Sequence, residues 1–346
     1  MQKILLIGNG PSATSMKLGK EIDEFDGKIV RFNTYRIKGF EEYVGTRTDI
    51  WIACDVFPAW HKDYQKVICC SFHRTQDNGV LVGLRKKYPD CDHFPEWAWE
   101  ETMKGIKYSA PSSGAVATTY FAKDCEVYFY GYDFFSGKKH HYGDELDGCH
   151  HQARFEMEYF RKLITAGKVI PFHDYLSNLN YNILHNIYPG YGVGGNWFRD
   201  RITEIAKQNN VRTILDYGCG KGSLVSLLGR DFTAFGYDPY VTEFNERPIG
   251  EVEMVVSTDF FEHLPEDNIE KVLKNILSYN PKVQFHAISN RKAAQILPDG
   301  SNAHYTVRDS DWWEKRLSQL GQVSVLGHND TQNFTMYKIK EKYNGN

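Results

Sequence analysis

Two stretches of this 346-residue sequence concentrate side chains able to do chemistry. In the first, His140-His141-Tyr142-Gly143-Asp144 is followed by His151-Gln152-Ala153-Arg154-Phe155-Glu156. Histidine titrates near neutrality, so such side chains can give and take protons in a reaction. Ahead of it stand Gly8-Asn9-Gly10-Pro11-Ser12, Asn33 and Ser112-Ser113-Gly114. Glycines there let backbone approach a ligand closely, and the amides and hydroxyls offer it donors and acceptors.

The second stretch is Asp216-Tyr217-Gly218-Cys219-Gly220-Lys221-Gly222, directly before Leu224–Leu228. Alternate glycines permit a sharp turn, and the helix that follows supplies unpaired amides. Asp238 closes the next apolar run, sixteen residues past Gly222, where a carboxylate suits ribose hydroxyls. Asp259, Glu262 and His263 come next, then Asn302 and His304 in a polar loop. Glu262 and His263 are candidate acid–base groups, while His263, Asn302 and His304 are candidate contacts for an acceptor.

These residues need strand ends and turns to hold them. Apolar runs at Lys3–Ile7, Lys28–Asn33, Asp49–Ala53, Lys66–Cys70 and Glu126–Tyr130 read as buried strands interleaved with helical patterns. A second series begins with a helix at Trp197–Gln208 and strands at Arg212–Asp216, Thr233–Tyr237 and Met254–Ser257. It continues through Val283–Ile288, Val323–Leu326 and Phe334–Ile339. The expectation is an α/β protein of two Rossmann-like domains with mostly parallel sheets. The domains are placed at 1–175 and 191–346, with a Tyr-, Asn-, Pro- and Gly-rich linker at 176–190.

Several motifs admit plainer roles. Asn33 can simply end a strand and Ser112 cap a helix. Glu262 and His263 can pack and cap the helix after them. His140, His141, Asp144, Asp147, Cys149, His150 and His151 form a metal set by ligand type, but their spacing matches no standard zinc pattern. A solvated histidine loop is the other reading.

Taken in order, the N-terminal pieces resemble the sialyltransferases. They include Val30-Arg31-Phe32-Asn33, Gly39-Phe40-Glu41, Val44-Gly45-Thr46-Arg47-Thr48, Pro111–Gly114 and Cys125–Asp133. Gly8–Ser12 and Gly131–Phe135 look bacterial, whereas Asn33–Thr48 and the histidine pieces look animal-type. The resemblance spans about residues 3–165. It implies a GT-A-like variant with a CMP-sugar donor, carrying sialic acid, Kdo or a related ulosonic acid, and a glycan or glycolipid acceptor. Gly8, Asn9, Gly10, Asn33, Ser112, Ser113 and Gly114 would bind the donor. His141 would assist the leaving phosphate and His151 act as base, with inversion and no metal. The animal-type disulfide is missing, because Ile4 stands where the partner of Cys125 would be.

Residues 195–340 resemble the class I S-adenosylmethionine-dependent methyltransferases through Asp216–Gly222, Asp238 and Val255–Pro265. This implies S-adenosylmethionine as cofactor, held by Asp216, Gly218, Gly220, Gly222, Asp238 and Asp259. The combined expectation is a bifunctional glycan-modifying enzyme that transfers an ulosonic acid and O-methylates a sugar. The alternative is a methyltransferase with a non-catalytic nucleotide- or glycan-binding N-terminal module. A scaffold with both sites inactive is a third reading.

Composition narrows the classes. Before residue 170 there are 23 basic and 23 acidic residues, and after it 18 and 21, so neither half has the basic excess of a nucleic-acid binder. No apolar run approaches the roughly 20 residues of a membrane span, and no signal-peptide layout is present. Seven cysteines, an odd number without a CxxC pair, argue for a reducing compartment, and the cytoplasm is expected.

Overall fold

The computed structural model describes residues 1–55, 64–71, 79–108, 110–135, 139–144, 151–173, 176, 180–329 and 334–340. Asp147, Cys149 and His150 of the histidine-rich stretch lie outside them. The chain divides into two compact units, one of residues 1–187 with 298–300 and one of the remainder. A helix at Asn180–Ile187 occupies part of the stretch read as linker.

The first unit is built on strands β1 (Gln2–Ile7), β2 (Lys28–Phe32), β3 (Ile50–Ala53), β4 (Lys66–Cys69), β5 (Asp92–His93), β6 (Cys125–Tyr130) and β7 (Val169–Pro171). They lie in the order β5-β4-β3-β2-β1-β6-β7, and every neighbouring pair is parallel. Parallel strands are covered on both faces, which explains why Ile4 to Ile7 is a continuous, fully buried apolar run. Helices Glu96–Ile106, Ser113–Phe121 and Ala153–Thr165 belong to the same unit. Strand order reverses between β1 and β6, and it is at the carboxyl ends of such strands that open α/β sheets bind ligands.

Arg31 shows that part of the Val30–Thr48 motif is architecture. It is 1% exposed inside β2, and its guanidinium donates to the carbonyls of Val44, Gly45 and Arg47 and to the Thr48 hydroxyl. Burial lowers its pKa to about 10, and these acceptors compensate for lost water.

The second unit has β8 (Thr213–Tyr217), β9 (Thr233–Tyr237), β10 (Met254–Thr258), β11 (Val283–Ser289), β12 (Gln322–Asn329) and β13 (Phe334–Lys340), ordered β12-β13-β11-β10-β8-β9. β9, β8, β10 and β11 are parallel, whereas β13 and β12 add an antiparallel edge. Two cores flank the sheet. One contains Phe261, Trp313 and Tyr337, and the other Ile202, Leu224 and Phe285. The order reverses at β8, placing the crevice by the ends of β8 and β10. No helix among the described residues is long and apolar enough to cross a membrane.

Candidate active sites

In the first unit the glycine turn after β1 is bound to the turn after β6. Gly8 N donates to Tyr130 O at 2.8 Å, Gly10 N to Gly131 O at 3.0 Å, and Ser12 N to Asp133 Oδ2 at 2.8 Å. A Cβ at Gly8 would lie 2.4 Å from Gly131 O, and one at Gly10 2.2 Å from Asp133 Oδ2. The close approach these glycines permit is therefore to the β6 turn itself. Asp133 was not singled out by the sequence. Burial pushes its carboxyl up to about 6, and its Oδ1 has no hydrogen-bond partner. Its signal was its place after the apolar β6 run and Gly131.

Other donor-site candidates carry structural bonds. Asn9 Nδ2 donates to Phe32 O at 3.0 Å. Asn33 has a left-handed φ of 48°, and its Oδ1 accepts from Cys54 N. Ser112 caps the helix Ser113–Phe121 by accepting from Ala115 N at 3.1 Å. Its N–H and hydroxyl both donate to the buried Glu156 carboxylate, at 2.7 and 2.6 Å. Such charge-assisted bonds offset the desolvation that raises the Glu156 pKa. Ser113 packs by the Cys54 and Cys70 thiols, and a Cβ at Gly114 would meet the Tyr132 ring at 2.9 Å.

The two catalytic candidates are tethered to this framework. His141 N donates to Asn9 O at 2.8 Å, carrying the histidine turn to the glycine turn. Its Nδ1 and Nε2 face the carbonyls of Asn9 and Arg36, at 3.3 and 3.0 Å. Burial lowers its pKa, while both carbonyls favour the protonated ring. His151 donates from Nδ1 to Ala110 O at 2.8 Å and packs against Phe135 with centroids 5.0 Å apart. That bond puts the ring proton on Nδ1 and leaves Nε2 as the basic nitrogen.

In the second unit Gly218, Gly220 and Gly222 have φ values of 84°, 54° and 70°, a conformation that favours glycine. Asp238 stands at the end of β9, its Oδ2 accepting from Gly220 N at 2.9 Å and its Oδ1 from Tyr240 N at 2.9 Å. The preceding segment folds back onto this turn. Lys221 Nζ donates to the carbonyls of Tyr188 and Pro189, and Lys221 N donates to Gly192 O. Tyr191 in that segment is half-buried, and burial with the Asp259, Asp238 and Glu262 charges raises its pKa. In sequence this segment carried only a linker signal.

Asp259 follows β10 with a left-handed φ of 55°. Its carboxylate lies beside His263 and His304 rather than in the glycine turn, with Nε2 atoms 3.9 and 3.8 Å away. Asn302 serves its own loop, accepting from Ala293 N and His304 N and donating to Ala293 O. Glu262 is wholly buried, accepts from Ser289 N at 2.6 Å, and is held well above the usual carboxylate range by burial and by Asp259.

Two family models match separate parts of the chain. Residues 2–81 match the model of glycosyltransferase family 29 (sialyltransferase), and residues 196–329 match that of the methyltransferase domain. The two matches are to a sialyltransferase family near the N-terminus and to a methyltransferase domain in the C-terminal half. A mammalian sialyltransferase in complex with Gal-beta-1-3GalNAc-ortho-nitrophenol is similar at 16% identity over 49% of this chain and 69% of that one, with a TM-score of 0.37. Magnesium protoporphyrin IX methyltransferase from Synechocystis PCC 6803, solved with bound SAH, is similar at 12% identity over 43% of this chain and 84% of that one, with a TM-score of 0.34. No curated protein sequence matches the chain.

The methyltransferase domain fits S-adenosylmethionine. Besides the three left-handed glycines and Asp238, Asp216 Oδ1 is buried without a hydrogen-bond partner. Burial, and then the Asp238 charge, push the Asp216 carboxyl up to about 7. The folded domain thus binds the Asp216 proton more tightly than the unfolded chain, whose carboxyl titrates near about 4. Stability from this group falls as pH rises between about 4 and 7, by an amount of the order of 2–4 kcal/mol. Asp216→Asn, which mimics the protonated form, is expected to melt with the parent near pH 4 and several degrees above it at pH 8. Coincident melting curves at pH 8 would refute this.

Proposed function

We propose that the protein modifies glycans with two transferase sites. In the sialyltransferase-family domain an acceptor hydroxyl loses its proton to His151 Nε2 as it attacks the anomeric carbon of a CMP-linked ulosonic acid. The bond to the phosphate breaks, His141 supports the departing CMP, and direct displacement inverts the centre. In the methyltransferase domain Asp216, Gly218, Gly220, Gly222 and Asp238 hold S-adenosylmethionine, which supplies an electrophilic methyl group when bound. His263 and His304 face an acceptor hydroxyl, that of a sugar, from the neighbouring strand end.

The observation that carries this reading is that each glycine turn follows the strand, β1 or β8, at which its sheet order reverses, with His141 bonded to the first turn and His263 just after β10. A second reading, a methyltransferase with a non-catalytic nucleotide-binding N-terminal module, is favoured by the engagement of Asn9, Asn33 and Ser112 side chains in the fold. Titration of the full chain with CMP and with S-adenosylhomocysteine, followed by donor hydrolysis, tests both.

A further inference from the structure

In the methyltransferase domain two imidazoles turn the same nitrogen toward one carboxylate. His263 donates from Nδ1 to Ala303 O at 2.8 Å, and His304 from Nδ1 to Arg291 O at 2.6 Å. Each bond fixes the ring orientation and leaves the lone pair on Nε2, as backbone carbonyls do behind metal-ligating histidines. The two Nε2 atoms stand 3.9 and 3.8 Å from Asp259 Oδ1, and the three ligand atoms lie within 4.8 Å of one another. The separations from Asp259 Oδ1 exceed hydrogen-bond reach, so the three ligand atoms are grouped without bonding the carboxylate directly.

A second observation points the same way. Glu262, next to His263, is wholly buried, and its Oε2 has no hydrogen-bond partner. A buried polar oxygen left without a partner beside these ligand atoms points to a group missing from the site. Asp259 itself is held at a left-handed φ of 55°, and its side chain is 59% exposed, so its carboxylate has room to adjust. Ligands about 2.0–2.1 Å from a tetrahedral ion are about 3.4 Å apart, which asks each histidine to close on Asp259 Oδ1 by roughly 0.5 Å.

We propose that Asp259, His263 and His304 form a binding site for a divalent first-row transition ion, with the buried Glu262 carboxyl behind it. Two imidazoles and a carboxylate suit zinc, manganese, iron or cobalt better than calcium. Three protein ligands leave coordination positions open. The catalytic use of the ion rests on the reading of this domain as a hydroxyl methyltransferase. The acceptor oxygen would bind at an open position, where the cation lowers its pKa. The O–H bond breaks and its proton passes to solvent water. The oxygen takes the methyl group as the sulfonium C–S bond breaks, leaving a neutral thioether. This site departs from the expectation that the chain uses no metal.

The test is titration of the EDTA-stripped, dialysed full chain with cobalt(II), read by visible absorption and calorimetry, alongside titration with S-adenosylhomocysteine. The wild type should bind cobalt at close to one equivalent and develop a visible band. His304→Ala should weaken cobalt binding at least tenfold while binding S-adenosylhomocysteine within threefold of wild type. If His304→Ala fails to fold, His263→Gln is read by the same criteria. No cobalt bound by the wild type, or equal affinity in a folded variant, overturns the site. Cobalt binding without S-adenosylhomocysteine binding would remove the methyltransferase reading and leave the metal site standing.

Discussion

Gly220→Arg is expected to weaken binding of S-adenosylhomocysteine at least 100-fold, about 2.7 kcal/mol. Gly220 has a φ of 54°, where any other side chain is strained, and a Cβ there would lie 2.4 Å from Gly192 O. The side chain would have to displace the Tyr188–Gly195 segment, which is bound to the turn through Lys221. It would also disturb the bond from Gly220 N to Asp238, the residue assigned to the ribose. The sheet beneath does not depend on this turn, since β8 keeps its parallel neighbours β9 and β10. Calorimetry with S-adenosylhomocysteine reads the effect, and circular dichroism checks the fold. Gly220→Ala should give the same loss in milder form. Affinity within threefold of wild type in Gly220→Arg would show that the turn does not hold the cofactor.

His151→Ala is expected to lower sugar transfer by 10²- to 10⁴-fold, the usual worth of a positioned general base. The ring is held by its bond to Ala110 O and by Phe135, so Nε2 is presented in one orientation. The binding of CMP should change by less than about threefold, because the donor-site candidates lie on other segments. Transfer or hydrolysis of a CMP-linked sugar, measured by release of CMP, checks this. An unchanged rate would leave His151 a packing residue behind the Ser112 cap.

Much of this was legible in the sequence because parallel strands leave a simple trace. The runs at Lys28–Phe32 and Thr233–Tyr237 are continuous and bounded by polar residues or glycines, and both became strands. β5 was not legible, since Asp92 and His93 offer no apolar run, and β7 has only three residues. Local motifs likewise revealed the glycine turns but not what fills them. That Gly10 is needed for Asp133, 123 positions away, follows from strand order alone. Asp259 and His263 are four apart, and their grouping could be read. His304 joins them only because the Ala303 and Arg291 carbonyls fix the two rings. The Tyr188–Gly195 segment has the composition of a linker, and only its hydrogen bonds to Lys221 show that it belongs to the cofactor turn.

The most direct test of a two-site transferase is calorimetric titration of one sample of the full chain with CMP and then with S-adenosylhomocysteine. The account predicts one saturable site for each, with S-adenosylhomocysteine affinity lost in Gly220→Arg and CMP affinity kept. Absence of CMP binding while S-adenosylhomocysteine binds would contradict it, leaving a methyltransferase whose first domain does not take the donor nucleotide.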